Sequence, residues 1–173
     1  NERIRALPLS CLDHPAQLDH YLNTPAQAAH LIVVRLLGSR GHWSYGLEQL
    51  QRWCSEAKQR QLIVLAGTAD QSNELHGLGS CRPELADQLS AMLREGGLDN
   101  MGLFLGALEA LLEGTPPSPD SVAVVPCPDP MPWDWRDEAG PAVGVVLYRA
   151  LFQVGDLALA DALCLLYTSD AAD

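Results

Sequence analysis

Two short apolar runs with an amphipathic segment between them constrain the fold of this chain more than any other feature. Leu31–Leu37 and Leu62–Ala66 are unbroken and rich in Val and Ile, which is typical of strands covered on both faces of a parallel sheet. The segment Trp43–Arg60 repeats apolar residues at steps of three and four, so they share one helix face. A crossover helix of this length joins parallel neighbours, and we therefore predict a β-α-β unit. The predicted buried face of its helix consists of Trp43, Leu47, Leu50, Cys54 and Ala57.

Helix signals recur on both sides of this unit. A helix is predicted over Pro15–Leu22, and Pro83 opens another helix that Gly96-Gly97 ends. Asp99 is predicted to cap the helix that follows, so the two adjoining helices form a helical hairpin. The polar stretch Thr68–Arg82 predicts a loop. The apolar face of the second hairpin helix is predicted to comprise Met101, Phe104, Leu105, Leu108, Leu111 and Leu112.

A proline-rich stretch divides the chain. Eight of the twelve prolines lie between residues 114 and 141, which predicts an extended connector with at most one short strand, Val122–Val125. After it, Ala142–Leu151 predicts a buried strand and Leu157–Leu166 the start of a helix. We thus predict an N-terminal α/β lobe (1–113), flavodoxin-like or periplasmic-binding-like, the connector (114–141), and the start of a second α/β lobe (142–166). Residues 167–173 fit no helical face and are predicted to be a non-native tail.

Composition disfavours several function classes. The formal net charge is −11, and sequence-independent nucleic-acid binding needs a cationic surface instead. No apolar run approaches the roughly 20 residues of a membrane-spanning helix. Five cysteines occur without a CxxC pair, which indicates free thiols in a reducing compartment rather than a zinc or dithiol site. We therefore expect a cytoplasmic protein.

Polar and aromatic side chains gather where the first predicted strand ends. The loop Gly38–Gly46 lacks both the GxGxxG pattern and the GK[ST] ending of a phosphate loop, which disfavours a nucleotide site. Ligands of α/β sheets lie at the carboxyl ends of strands, where arginines suit a carboxylate and aromatic rings suit a flat ligand. The alternative is that Trp43 and Tyr45 anchor the core and that Arg35 is an interior charge paired with a carboxylate.

Two further observations complete the candidate site. His42 could bind a metal or carry a proton, although no second ligand stands at metal spacing. Tyr148-Arg149 form a similar polar group at the end of the strand predicted over Ala142–Leu151, and the two groups could face one cleft. Catalytic residues and metal ligands cannot be identified. The candidate substrate-binding residues are Arg35, Arg40, His42, Tyr45, Tyr148 and Arg149.

Four segments, in order, resemble the large subunit of aerobic cobaltochelatase, the CobN family, which is related to the H subunit of magnesium chelatase. RLLGSRGHWSYGLEQL (Arg35–Leu50) resembles the family's RLLGG-x-x-YW-x-YG segment, and HPAQLDHYL (His14–Leu22) resembles HP-x-SVDLY. LREGGLDN (Leu93–Asn100) resembles FREGG-x-x-N, and VLYRALFQVGD (Val146–Asp156) resembles F/L-YRA-x-x-x-GN. The chain departs from these patterns at Ser39, His42 and Asp156, where glycine, tyrosine and asparagine are usual.

The resemblance implies the N-terminal part of a longer chelatase subunit, and it supplies the chemistry. It implies ATP-dependent insertion of cobalt into hydrogenobyrinic acid a,c-diamide during cobalamin biosynthesis, with cobalt and the tetrapyrrole as substrates. AAA+-type partner subunits would use ATP and magnesium, in accord with the missing phosphate loop. The alternatives are a magnesium chelatase H-type subunit acting on protoporphyrin and a non-catalytic α/β ligand-binding module.

Overall fold

The computed structural model describes residues 4–118, 121–127 and 144–169, with the backbone alone for 167–169. Two parallel strands and seven α-helices make a mixed α/β fold in these ranges, which confirms the predicted fold class. The elements are α1 (Pro15–Asn23), β1 (Leu31–Leu36), α2 (Ser44–Ser55), β2 (Gln61–Ala66), α3 (Ser72–Leu75), α4 (Pro83–Glu95), α5 (Gly97–Leu112), α6 (Arg149–Val154) and α7 (Ala158–Ser169).

The predicted β-α-β unit is confirmed. β1 and β2 pair in parallel with Val33 opposite Ile63, and α2 crosses between them. Alternate side chains of the strands point to opposite faces, so the sheet separates two cores. Leu62 and Val64 pack with α1 and α2, whereas Ile63 and Leu65 pack with the hairpin of α4 and α5.

The helix α2 ends earlier than predicted and buries a different residue. It stops at Ser55, and Trp53 lies in the core at 3 % exposure, where Cys54 was expected. Arg60 does not continue the helix. Its guanidinium donates to the Trp53 carbonyl at 2.9 Å and stacks 4.8 Å above the Trp53 ring, which satisfies a carbonyl of the last helical turn.

Three other predictions are wrong in detail. The loop Thr68–Arg82 contains α3 and two 3-10 turns, because Leu75 and His76 find buried positions against β2. No strand forms over Val122–Val125; this segment is held by a side chain of α5 and not by a neighbouring strand. Residues 144–148 form no strand and α6 begins at Arg149, so the strand Ala142–Leu151 is wrong wherever the structure describes it.

The helical hairpin is confirmed, but α5 buries a different face. Its core-facing residues are Asn100, Phe104, Ala107 and Leu111. The predicted core residues Met101, Leu105 and Leu112 are instead 36 to 51 % exposed. α7 confirms the helix predicted from Leu157 and continues through residues 167–169. The division into lobes and connector stays a prediction, and residues 119–120 and 128–141 of the connector lie outside the described ranges.

Candidate functional site

The loops that follow β1 and β2 are joined at the carboxyl edge of the sheet. The Gly67 N–H donates to the Leu36 carbonyl at 2.8 Å, and the Arg40 N–H donates to Glu74 Oε1 at 3.0 Å. Gly38 makes the turn after β1 with φ 111°, a conformation that side chains disfavour. A methyl group there would meet the His42 ring at 2.9 Å, so the tight turn and the ring position depend on each other.

Four of the six candidate binding residues lie in β1 or in the loop after it, but they do not converge. Arg35 alternates with Leu31 and Val33, so its exposed side chain lies on the α4–α5 side of the sheet. Tyr45 lies on the α1 side, where its hydroxyl donates to both carboxylate oxygens of Asp19 at 2.9 and 3.0 Å. This hydrogen bond to Asp19 raises the pKa of Tyr45 above its ordinary value.

The arginines at this edge are available to a ligand. Arg35 and Arg40 are exposed, and neither guanidinium has an acidic partner within the described ranges. The alternative interpretation of Arg35 as an interior charge is therefore wrong. Trp43 is a core anchor, as the alternative proposed: it packs on the α1–α2 core and its indole donates to the Leu12 carbonyl at 3.4 Å.

The turn between α4 and α5 gathers two distant segments. Glu95 Oε2 accepts from Arg149 Nη2 at 2.6 Å and from the Cys127 N–H at 2.8 Å. Gln153 of α6 donates to the Arg94 carbonyl. The guanidinium of the candidate Arg149 is thus occupied by Glu95, while the adjacent Tyr148 is 85 % exposed.

The buried side chain of Asn100 joins the turn between α4 and α5 to Val125 through hydrogen bonds. Its side chain is 2 % exposed, donates to the Gly96 and Val125 carbonyls at 2.7 Å, and accepts from the Val125 N–H at 2.9 Å. The amide therefore pairs with Val125 through both donor and acceptor, as a neighbouring strand would. Within LREGGLDN, Glu95 and Asn100 hold other parts of the chain in place.

α4 carries this turn to the carboxyl edge of the sheet. Ser80, just before α4, bonds to Leu62 at the start of β2, whereas Ser90 lies 2.9 Å from His76 beside Ala66 at the end of β2. α4 thus runs parallel to β2, and its last residue is Glu95. The turn that holds Arg149 and the loop after β1 therefore lie at the same carboxyl edge of the sheet, although β1 and α6 are far apart in the sequence.

His76 forms a buried polar cluster under this edge. It is 1 % exposed, its Nε2 accepts from the Ala66 N–H at 3.1 Å, and its Nδ1 lies 2.7 Å from Asp87 Oδ1. Burial lowers the pKa of His76 below its ordinary 6.5, and Arg94 lowers it further, while Asp87 opposes both. The neutral ring, with its proton on Nδ1, suits these contacts, because a protonated Nε2 could not accept from Ala66.

Acid should therefore destabilise the fold through His76. The unfolded chain binds this proton more readily than the folded chain. The contribution of His76 to stability is therefore fully present above pH 6.5 and is lost as the pH decreases below it. We expect the urea concentration at the unfolding midpoint to decrease when the pH is lowered from about 7.5 to about 5.5, and to decrease less in His76→Gln. His42→Gln, in an exposed turn, is the control and should keep the pH dependence of the parent chain. An unchanged pH dependence in His76→Gln would contradict this account.

A polar cleft of about 410 Å³ lies between α1 and α2 on the far side from α4. Its side chains mostly satisfy one another: Tyr45 binds Asp19, and Arg60 donates to Glu56 at 3.2 Å and to the Gln27 carbonyl at 3.2 Å. These contacts hold α1 to the end of α2, which is a structural role.

Within the described ranges, no three His, Cys, Asp or Glu side chains are grouped to hold a metal ion, and no helix is long and apolar enough to cross a membrane. Sequence reasoning did not single out Glu95, Asn100 or His76 as individual residues. The first two stand in a segment that the resemblance marked, whereas His76 gave no signal, because its partners lie on another helix.

Comparison with known proteins connects the chain with cobaltochelatase. It is 30 % identical over 187 residues to the aerobic cobaltochelatase subunit CobN of Sinorhizobium sp, a match that covers 92 % of this chain and 14 % of the relative. It is 34 % identical over 103 residues to the CobN subunit of Pseudomonas aeruginosa, covering 60 % of this chain and 8 % of the relative. No family model and no solved structure matches. The chain is thus CobN-like over nearly all of its length and spans about 14 % of the length of the first of these relatives.

Proposed function

We propose that the chain is part of the tetrapyrrole-binding large subunit of an ATP-dependent cobaltochelatase. The similarity to CobN over 92 % of the chain carries this proposal. The substrates are cobalt and hydrogenobyrinic acid a,c-diamide, the reaction belongs to cobalamin biosynthesis, and AAA+-type partner subunits in the cytoplasm use ATP and magnesium. Metal-binding residues of the reaction are expected elsewhere in the subunit.

The carboxyl edge of the sheet is the part of this chain that we propose to face the macrocycle. Arg35 and Arg40 are exposed there without acidic partners in the described ranges, although the whole chain has a formal net charge of −11. A macrocycle that carries carboxylates is attracted to such a local cationic site by charge-assisted hydrogen bonds. Tyr148 offers a nearby exposed ring, whereas Tyr45 faces Asp19 and contributes to the fold rather than to the ligand.

A chimeric subunit tests the function. In the Sinorhizobium CobN subunit, this chain replaces the matching segment, and cobalt insertion is measured with that organism's ATPase partner subunits. We expect insertion into hydrogenobyrinic acid a,c-diamide and none into protoporphyrin. Preferential use of protoporphyrin with magnesium would favour the H-type alternative. Binding of a different ligand with no metal insertion would favour a binding module.

The double variant Arg35→Ala and Arg40→Ala tests the edge. Loss of two charge-assisted contacts, each typically about 1.5 kcal/mol or more, should weaken macrocycle binding about a hundred-fold or more in the chimera. Tryptophan fluorescence quenching measures the affinity. Arg82→Ala is the matched control, because Arg82 precedes α4 at the opposite edge and should leave the affinity unchanged. Equal affinities of the double variant and the parent would remove this edge from the binding site.

A further inference from the structure

One backbone edge of β1 pairs with no strand in the part of the chain that the structure describes. In a parallel pair, alternate residues direct their N–H and C=O groups to the same neighbour. The His30 and Leu36 carbonyls accept from the Gln61 and Gly67 N–H groups, so the even-numbered residues of β1 face β2. The backbone groups of Leu31, Val33 and Arg35 consequently point away from β2, and no strand of the described ranges pairs with them.

The opposite edge of the sheet is closed. There the even-numbered residues of β2 point outward, and the segment before α4 covers them. Leu62 exchanges hydrogen bonds with Ser80 at 2.7 and 2.9 Å, and the Ala66 N–H donates to His76. Gly79 lies so close that a methyl group would meet the Leu62 carbonyl at 2.8 Å. The sheet can therefore grow only beyond β1.

β1 has the side chains of an interior strand. Its sequence is LIVVRL; Val34 and Leu36 are buried on one face, and Leu31 and Val33 pack against the other core. Strands that end a sheet in soluble proteins are protected by proline, charges or bulges, whereas β1 has one charge, at Arg35 near its end. Leu31 and Val33 are only half-buried, while Ile63 and Leu65 on the same face of β2 are fully covered.

We propose that the outer edge of β1 binds a further β-strand, apolar on both faces, supplied by the additional polypeptide of a CobN-type large subunit. This inference rests on the proposed function. It is supported by the length of the Sinorhizobium relative, of which the chain covers 14 %. A second copy of this chain is the less suitable occupant, because copies with a formal net charge of −11 repel one another.

Hydrogen exchange read by mass spectrometry tests the proposal at single-residue resolution. In the 173-residue chain we expect slow exchange at the amides of Ile32, Val34 and Leu36 and fast exchange at those of Leu31, Val33 and Arg35. In the chimeric Sinorhizobium subunit all six amides should be slow. The Ile63 amide, which faces β1 inside the sheet, should be slow in both proteins and reports that the lobe is folded.

Two results would overturn the proposal directly. One is fast exchange at Val33 in a chimera whose Ile63 amide is slow. The other is slow exchange at Val33 in the 173-residue chain together with a dimer mass in sedimentation, which assigns the edge to a second copy. A chimera that protects Val33 but inserts no cobalt would support the strand and contradict the proposed function, so the two failures are distinguishable.

If the chimera does not fold, binding between two separate chains is measured instead. The 173-residue chain is mixed with a Sinorhizobium subunit that lacks the matching segment. Val33→Pro removes an outward N–H and should weaken binding at least about ten-fold while β2 pairing persists. Val34→Pro is the contrasting variant, because it removes a hydrogen bond to β2 and should unfold the lobe. Lack of binding, or binding that Val33→Pro leaves unchanged, would overturn the proposal.

Discussion

Gly96→Ala is expected to release α6 from the turn between α4 and α5. Gly96 has φ 72° and ψ −162°, a region open almost only to glycine, and a side chain there costs about 1–3 kcal/mol. The added methyl group would also lie 2.6 Å from Gln153 Cβ and 2.7 Å from its Cα. Because the Gln153 backbone cannot rotate away as a side-chain tip could, α6 must move. We expect fast hydrogen exchange over Arg149–Val154 and a lower free energy of unfolding in urea.

Gly102→Ala is the matched control for this variant. Gly102 lies inside α5 with nothing within 4 Å of the position of an added methyl group. Alanine at such a site favours the helix by up to about 1 kcal/mol, so this variant should be at least as stable as the parent chain. Full protection of α6 in Gly96→Ala would contradict the steric account.

Leu65→Ala is expected to cause a larger loss of stability than Gly96→Ala. Leu65 lies on β2 at 0 % exposure, between the sheet and the hairpin of α4 and α5. Removing a buried leucine side chain from such a core typically costs about 2–5 kcal/mol, through lost burial and the cavity left behind. Domains have total stabilities of about 5–15 kcal/mol, so this change threatens the fold itself.

Urea unfolding at one temperature measures the effect. Leu112→Ala is the control, because Leu112 is 51 % exposed at the end of α5 and its truncation should change stability by about 0.5 kcal/mol or less. Similar losses in the two variants would show that β2 is not the centre of the fold.

The β-α-β unit could be predicted because its signals are local. Unbroken β-branched runs and a helical repeat between them leave one arrangement, and the structure has it with β1 and β2 in parallel. α5 could not be oriented in the same way. It is apolar nearly all round, so its periodicity does not select a face, and the contacts of Phe104 and Ala107 with α4 decide it.

The error at α6 has a related cause. A short apolar run fits a strand or a helix equally well by periodicity alone. What selects the helix is not in the run: Gln153 fits over Gly96, and Arg149 binds Glu95, more than 50 positions away. Of the candidate site, likewise, one part could be predicted from local sequence and another could not. The loop after β1 could be predicted from Gly38 and the arginines, whereas the occupation of Arg149 by a glutamate depends on contacts between distant segments.

The contacts of α6 with the turn between α4 and α5 also determine which part of the fold opens first in local unfolding. Arg149 and Glu95 are 54 positions apart, whereas the paired residues of β1 and β2 are 30 apart, and this difference in loop length changes the closure entropy by only about 0.5 kcal/mol. The two contacts differ in how much apolar surface they bury. β2 is covered on both faces, whereas α6 has no buried residue. Local opening therefore begins at α6, and thermal fluctuations separate Arg149 from Glu95 while the sheet stays paired.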